Sequence, residues 1–230
     1  MSRRAMRKDG RRRQDMLTRA QIIDAAVELL DRNGESGLTF QALAKHLNTG
    51  SGAIYWHIKN KAALLVAACD AIVEPIARSA SQGSPSSGIR DFSGAIFDAI
   101  DNRPWIGSVL AQAPGSLPSV RIIELFGQQI RRMGVAPAKE WSVVAALLNY
   151  VLGVACQNAA NATMARRLEL DREQFLGGMA EEWSRLDGAI FPFTQDISSQ
   201  LSAHDDRDDF LTGVDLILAG IQQSLDTALG

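Results

Sequence analysis

The chain has 230 residues, 46% of them hydrophobic, and a formal net charge of −2. That length holds one large domain or a small one beside a medium one, and the apolar share is enough for a core, which excludes a wholly disordered or fibrous chain. No apolar run reaches the roughly 18 residues of a membrane span. The basic N-terminus lacks the apolar stretch of a secretory signal. Cys69 and Cys156, far apart, read as reduced thiols of a cytoplasmic protein.

The charge is divided. Residues 1–61 carry 12 Lys and Arg against 6 Asp and Glu, whereas residues 62–230 carry 12 against 20. A basic head on an acidic body predicts a polyanion partner met by the head alone, with the body's repulsion orienting the approach. Within 1–15 stand Arg3, Arg4, Arg7, Lys8, Arg11, Arg12 and Arg13 with almost nothing apolar, so residues 1–17 are expected to be a disordered basic arm. Two readings of it stand: a solubilising tail, or an arm that follows phosphates or enters a minor groove.

Thr18 is placed to cap a helix through about Arg32, with Ile22, Ile23, Ala26, Val27, Leu29 and Leu30 on its apolar face and Asn33-Gly34 ending it. Thr39 caps a second helix whose Leu43, Ala44 and Leu47 face inward. Asn48-Thr49-Gly50 is a turn, since Asn and Gly tolerate positive φ, and Ser51 caps a short third helix through about Trp56. Helix, short helix, tight turn and short helix is the helix-turn-helix plan, which gives a head over 18–62. A body over 63–230 follows. Helices are expected from Lys61 to about Ala80, over 89–100, from Pro104 to Gln112, over 119–133, from Pro137 to about Arg167, from Asp171 to Leu186 and from Asp208 to Leu229, with loops over 81–88 and 187–206. No alternating β-branched run is long enough for a sheet, so the predicted class is all-α.

Gly37-Leu38-Thr39, the Leu43-Ala44 pair and the run Ile54-Tyr55-Trp56-His57-Ile58-Lys59-Asn60-Lys61 with Leu64-Leu65 resemble the DNA-binding domain of TetR-type transcriptional repressors, densely over residues 18–66. The Tyr-Trp-His run is similar to that of the tetracycline repressors. Beyond the head the likeness is looser: Arg103-Pro104-Trp105 falls where a family helix starts with a Pro-Trp pair, and Phe210 to Ile221 is similar to the last helix of that subfamily. The resemblance implies a homodimer, a ligand cavity in each body and release of DNA on ligand binding. It also implies repression as the mode of control.

The family's contact positions, carried across, fall on Thr39, Gln41, Ser51, Gly52, Ala53, Tyr55, His57 and Lys61. Tyr55 offers a hydroxyl to phosphate and a ring to a thymine methyl, His57 a ring N–H, and Lys59 and Lys61 charge; Gln41 can pair with adenine in the major groove. Where tetracycline repressors have larger residues this chain has Ser51, Gly52 and Ala53, so base reading is expected to lean on Gln41, Tyr55 and the arm. Trp56 is expected to pack against the first helix and His46 to be a surface residue.

In the body, Trp105, Ile106, Leu110, Gln112, Phe126, Ile130, Trp141, Leu148, Asn149, Leu152 and Gln157 are expected to surround a cavity for a moderately hydrophobic organic ligand, though any one of them taken alone reads as core. The resemblance places a metal-binding His before the Pro-Trp corner. This chain has Asp98 to Arg103 there, and His204 sits in a late Asp-rich loop, so no metal, no cofactor and no tetracycline are expected. The helix from Pro137 and the last helix, apolar over more than one face, are the expected dimer surface, and a two-fold dimer requires a palindromic operator. No nucleophile–base pair, metal spacing or phosphate loop speaks for an enzyme. A DNA-binding regulator without small-molecule control remains the alternative, and a surviving body cavity separates the two.

Overall fold

Thr18 opens the first helix as predicted. Its hydroxyl accepts the Gln21 N–H at 3.2 Å while the Gln21 side chain accepts the Thr18 N–H at 2.9 Å, so two donors exposed by the helix start are satisfied reciprocally. The structure, a computed structural model, describes residues 17–79, 83–201 and 203–229. The basic arm expected over 1–17 therefore lies, but for Leu17, outside the described residues. Every regular element among them is helical: α1 (Arg19–Gly37), α2 (Phe40–His46), α3 (Ser51–Tyr55), α4 (Lys61–Ser79), α5 (Pro85–Asn102), α6 (Pro104–Gln112), α7 (Leu117–Arg132), α8 (Pro137–Arg167), α9 (Arg172–Ser184), α10 (Pro192–Ile197), a 3₁₀ turn (Ser198–Gln200) and α11 (Asp206–Leu229).

Local chemistry moves several boundaries. Gly34 takes φ 64°, a kink rather than a stop, and α1 resumes to Gly37. Gly50 caps α3 through its extended backbone, and Ser51 is already the first helical residue with no side-chain cap bond. The expected loop over 81–88 is shorter, because the Ser84 hydroxyl accepts the Ser87 N–H at 3.2 Å and Pro85 presets the first turn of α5. The loop expected over 187–206 contains α10 and the 3₁₀ turn, with Pro192 starting the former.

In the head, Ile22, Ala26 and Leu30 of α1 are buried with Leu43, Ile54 and Ile58, and Leu64 and Val73 of α4 extend the same core into the body. There α5, α7 and α8 pack together through Ile89, Phe92, Ile96 and Ile100, through Ile122, Phe126 and Ile130, and through Leu147, Val151 and Ala155, each set at helical spacing. Phe92 and Phe126 meet edge to face at 5.4 Å. The last helix, α11, lies on α5 and α8. Phe210 stacks between Phe97 at 4.7 Å and Tyr150 at 5.7 Å, and the Tyr150 hydroxyl donates to the Phe210 carbonyl at 3.0 Å. Only glycine fits at 213, where a Cβ would come within 1.8 Å of that hydroxyl. Arg90–Asp215 and Arg207–Asp98 pin α11 to α5 in register.

α8 corrects one expectation. No unbroken apolar run exists, since Asn149 and Gln157 interrupt it, yet an 18-residue window of it is apolar enough by length and composition to cross a membrane. Its buried face is instead the packing surface for α5, α6, α7 and α11, and 28% of that window is buried within one chain.

Candidate nucleic-acid interface and effector cavities

The turn between α2 and α3 is built by Asn48 at φ 51° and by the Thr49 N–H donating to the Ala44 carbonyl at 2.9 Å. Buried Leu43 and Ile54, both at 0% exposure, fix the two helices to α1. Thr39 caps α2, its hydroxyl accepting the Ala42 N–H at 3.0 Å, which leaves its own O–H as a donor. The outer side of the unit then presents Gln41, Ser51, Gly52, Ala53, Tyr55, Trp56, His57 and Lys59, all exposed. The Tyr55 ring lies flat on Phe40 with centroids 4.3 Å apart and planes 4° from parallel. That stacking holds a half-exposed ring, and the hydroxyl it carries, in one orientation.

Two predicted placements change. Trp56 does not pack against the first helix: it is 91% exposed, the most exposed large apolar side chain of the described residues. The signal was in the spacing. Ile54 and Ile58 turn inward, so the position midway between them faces away. Lys61, carried over as a DNA contact, donates its ammonium to the Glu35 carbonyl and is half-buried, so it ties the end of α1 to the start of α4. The Asn60 side chain accepts the Ala63 N–H at 2.8 Å and caps α4. His46 is a surface residue whose Nε2 lies 3.2 Å from Glu28.

Gly52 has no positive φ, and a Cβ there would meet nothing within 4 Å. The fold therefore does not require glycine, which costs a helix about 1 kcal/mol against alanine. A missing side chain on the exposed side of α3 instead permits close approach by a partner's surface.

Head and body are joined by a latch. Asp31 on α1 accepts Arg103 Nε at 3.1 and 3.0 Å and Trp105 Nε1–H at 2.9 Å, both from the start of α6.

The residues expected to ring a body cavity are not brought together around one. Leu110, Phe126 and Ile130 are core, at 2% exposure or less, and Ile106 joins them at 0%. Trp141 is 65% exposed at the start of α8; Gln112, Asn149 and Gln157 are exposed, and Leu148 and Leu152 are half-buried against the core. The physical reason is close packing: side chains at core spacing interdigitate instead of leaving space. Trp105 does line a groove of about 640 Å³, with Gly34, Glu35, Cys156, Met164 and Arg167. A second cavity, about 600 Å³, is lined by more polar and charged residues than apolar ones and lies within the body between α5, α8, α9 and the start of α11. In it Arg172 donates to Asp206 at 2.7 Å and Asn158 to Asp101 at 2.8 Å, and His204 Nε2 lies 2.9 Å from Asp206. Backbone N–H groups of Asp208 and Arg207 hold the Asp205 carboxyl below the usual carboxylate range. Sequence spacing could not bring these segments together, because the pairing depends on how the 168–205 stretch folds back. Among the described residues no group of three or more His, Cys, Asp or Glu is placed to hold a metal. Burial, with help from Asp70, pushes the Cys69 thiol up to about 12, so it stays neutral in the core.

The description "Bacterial regulatory proteins, tetR family" matches residues 22–68, which are α1 to the first turns of α4. A transcriptional regulator of Saccharopolyspora erythraea is 30% identical over 145 residues, 62% of this chain and 61% of its own length. The class D tetracycline repressor of Escherichia coli is 44% identical over 72 residues, 31% of this chain and 32% of its own length. The chain thus aligns with about three-fifths and one-third of these two curated relatives. A solved structure from Streptomyces coelicolor, a transcriptional regulator described as a TetR, is 44% identical, superposes with a TM-score of 0.81, and matches over 90% of this chain and 98% of its own. The ActR protein of the same organism, at 18% identity and TM-score 0.75 over 93% and 98%, shares the fold. With the helix-turn-helix head and helical body already in place, and a regulator described as a TetR matching at 44% identity over nearly all of its length, the chain belongs to the TetR family of transcriptional regulators.

Proposed function

We propose that this regulator is a repressor that binds a palindromic operator as a homodimer and leaves it when a small, moderately hydrophobic organic ligand enters the body. The observation that carries the DNA side is the exposed row Gln41, Ser51, Gly52, Ala53, Tyr55, Trp56 and His57, with Tyr55 locked on Phe40. Lys59 and Thr39 are exposed as well, and Lys61 acts by bracing α4. In this reading the head is 18–62, the body 63–230, and residues 1–17 follow the phosphates.

The dimer is supported by uncovered apolar surface. Leu216 on α11 is 70% exposed, Ala219 and Gly220 beside it are exposed and small, and α8 leaves a stripe of Ala146, Asn149, Gly153 and Gln157 exposed. Two such helices from each chain would make a four-helix contact and set the recognition helices about 34–36 Å apart. The release step is supported by the two cavities of about 600 and 640 Å³, a size that takes an organic molecule. ActR is described in complex with actinorhodin and with (S)-DNPA; at 17–18% identity the chemistry of the ligand has to come from this chain's own lining.

The test is fluorescence anisotropy of the purified protein with DNA flanking its own gene, across a salt series. Tight binding that depends on both half-sites is expected, with an affinity that falls on a log–log salt plot by about 0.9 per neutralised phosphate. Equal affinity for scrambled DNA would defeat the reading. Removing residues 1–14 should flatten the salt slope; an unchanged slope would show the arm to be a bystander.

A further inference from the structure

The groove of about 640 Å³ is unlike the polar cavity in one respect: it touches head and body together. Its long wall is one face of α8. Cys156 and Arg167 bound that wall eleven residues apart, about 16 Å along a helix, with Ala159 and Thr163 between them. The second wall is α6, and the third is the last turn of α1 at Gly34 and Glu35. Gly107 permits the close approach of α6 to α8, since a Cβ there would lie 2.8 Å from Cys156 Sγ. Burial pushes the Cys156 thiol up, so this end is uncharged and apolar. Met164, 49% exposed on the rim, is unbranched and can adapt to an occupant.

The charges in the lining are few. Arg167 is exposed and makes no ion pair among the described residues. Glu35 is the one carboxylate in the lining and stands on the head rim, where it repels an anion. An acidic group on an occupant is therefore directed to Arg167, while its apolar part lies along α6.

Trp105 also belongs to the latch, because its indole N–H donates to Asp31 at 2.9 Å. Any rotation of the head moves Gly34 and Glu35 against α8 and changes the groove. A ligand that fills the groove then necessarily distinguishes two head positions, which is the condition for shifting their populations. The polar cavity lacks a head residue and this coupling.

We infer that the head–body groove is the effector site, and that it takes a largely apolar organic molecule bearing one acidic group that pairs with Arg167. This rests on the effector-released regulator proposed above. The probe for the test is 8-anilinonaphthalene-1-sulfonate, a largely apolar anion whose fluorescence rises in apolar sites. Titration of the full chain should show one saturable site per chain. Ser108→Phe, which fills the slot from α6, and Arg167→Gln, a surface change that leaves packing intact, should each weaken the probe at least tenfold. Unchanged probe affinity in both variants would overturn the site and leave the DNA-binding reading untouched. In the wild type, saturating probe should raise the operator Kd at least fivefold, and operator DNA should weaken the probe by the same factor. Probe binding that is lost in the variants but indifferent to operator would overturn the coupling. Failure of the wild type to bind operator at all would instead remove the effector-released repressor reading, since the probe titration needs no DNA.

Discussion

At the scale of single residues, the head separates side chains that hold the fold from those it merely displays. Tyr55 belongs to both sets, with its ring stacked on Phe40 and half its surface open. Tyr55→Ala should lower operator affinity by about 10- to 100-fold, the worth of one good contact, while thermal unfolding shifts little. Tyr55→Phe keeps the stacking and tests the hydroxyl alone; equal affinity for Tyr55→Phe and wild type would assign the contact to the ring. Gly52 gives the opposite signature. Gly52→Ala should stabilise the free protein by up to about 1 kcal/mol in denaturant titrations and weaken operator binding, because the added methyl meets nothing within 4 Å in the free fold. Stronger or unchanged DNA binding would show that no partner approaches that backbone.

Among the elements, α3 has five residues, too few to be stable alone, so its geometry comes from Ile54 and Ile58 seated in the head core and from Phe40 beneath Tyr55. α7 has the opposite basis: Ile122, Phe126 and Ile130 form a buried stripe against α5 and α8. Phe126 is at 0% exposure and meets Phe92 edge to face, so Phe126→Ala should cost about 3–5 kcal/mol in unfolding free energy. A loss below about 1 kcal/mol would mean that space already exists beside it, as a ligand cavity ringed by these residues requires.

For the whole molecule, the decisive quantity is apolar surface left open by one chain. α8 and α11 supply the body's centre with one side and present Leu216, Ala219 and Gly220 of α11 and the stripe Ala146, Asn149, Gly153 and Gln157 of α8 on the other. Leu216→Arg sets a charge where a second copy is expected to seat. Sedimentation equilibrium should then show a monomer, and operator binding should fall with it. A persistent dimer would place the contact elsewhere. The Asp31–Arg103–Trp105 latch belongs to this scale too, since it joins segments 72 and 74 residues apart.

The sequence by itself determined all the helices but α10 and the 3₁₀ turn after it, because caps, prolines and apolar spacing act within a few residues: Thr18, Thr39, Pro104 and Pro137 all begin or cap helices where they were expected to. It also carried the family likeness, concentrated in the run from Ile54 to Lys61. What only the tertiary structure decided was the direction in which side chains face. Lys61 was drawn to a carbonyl at the end of α1. Leu110, Phe126 and Ile130 closed into core, and the open space formed where distant segments meet without filling each other, at the head–body junction and under the fold-back of 168–205. Cavities arise from that mismatch between packed elements, and spacing along one helix does not record it.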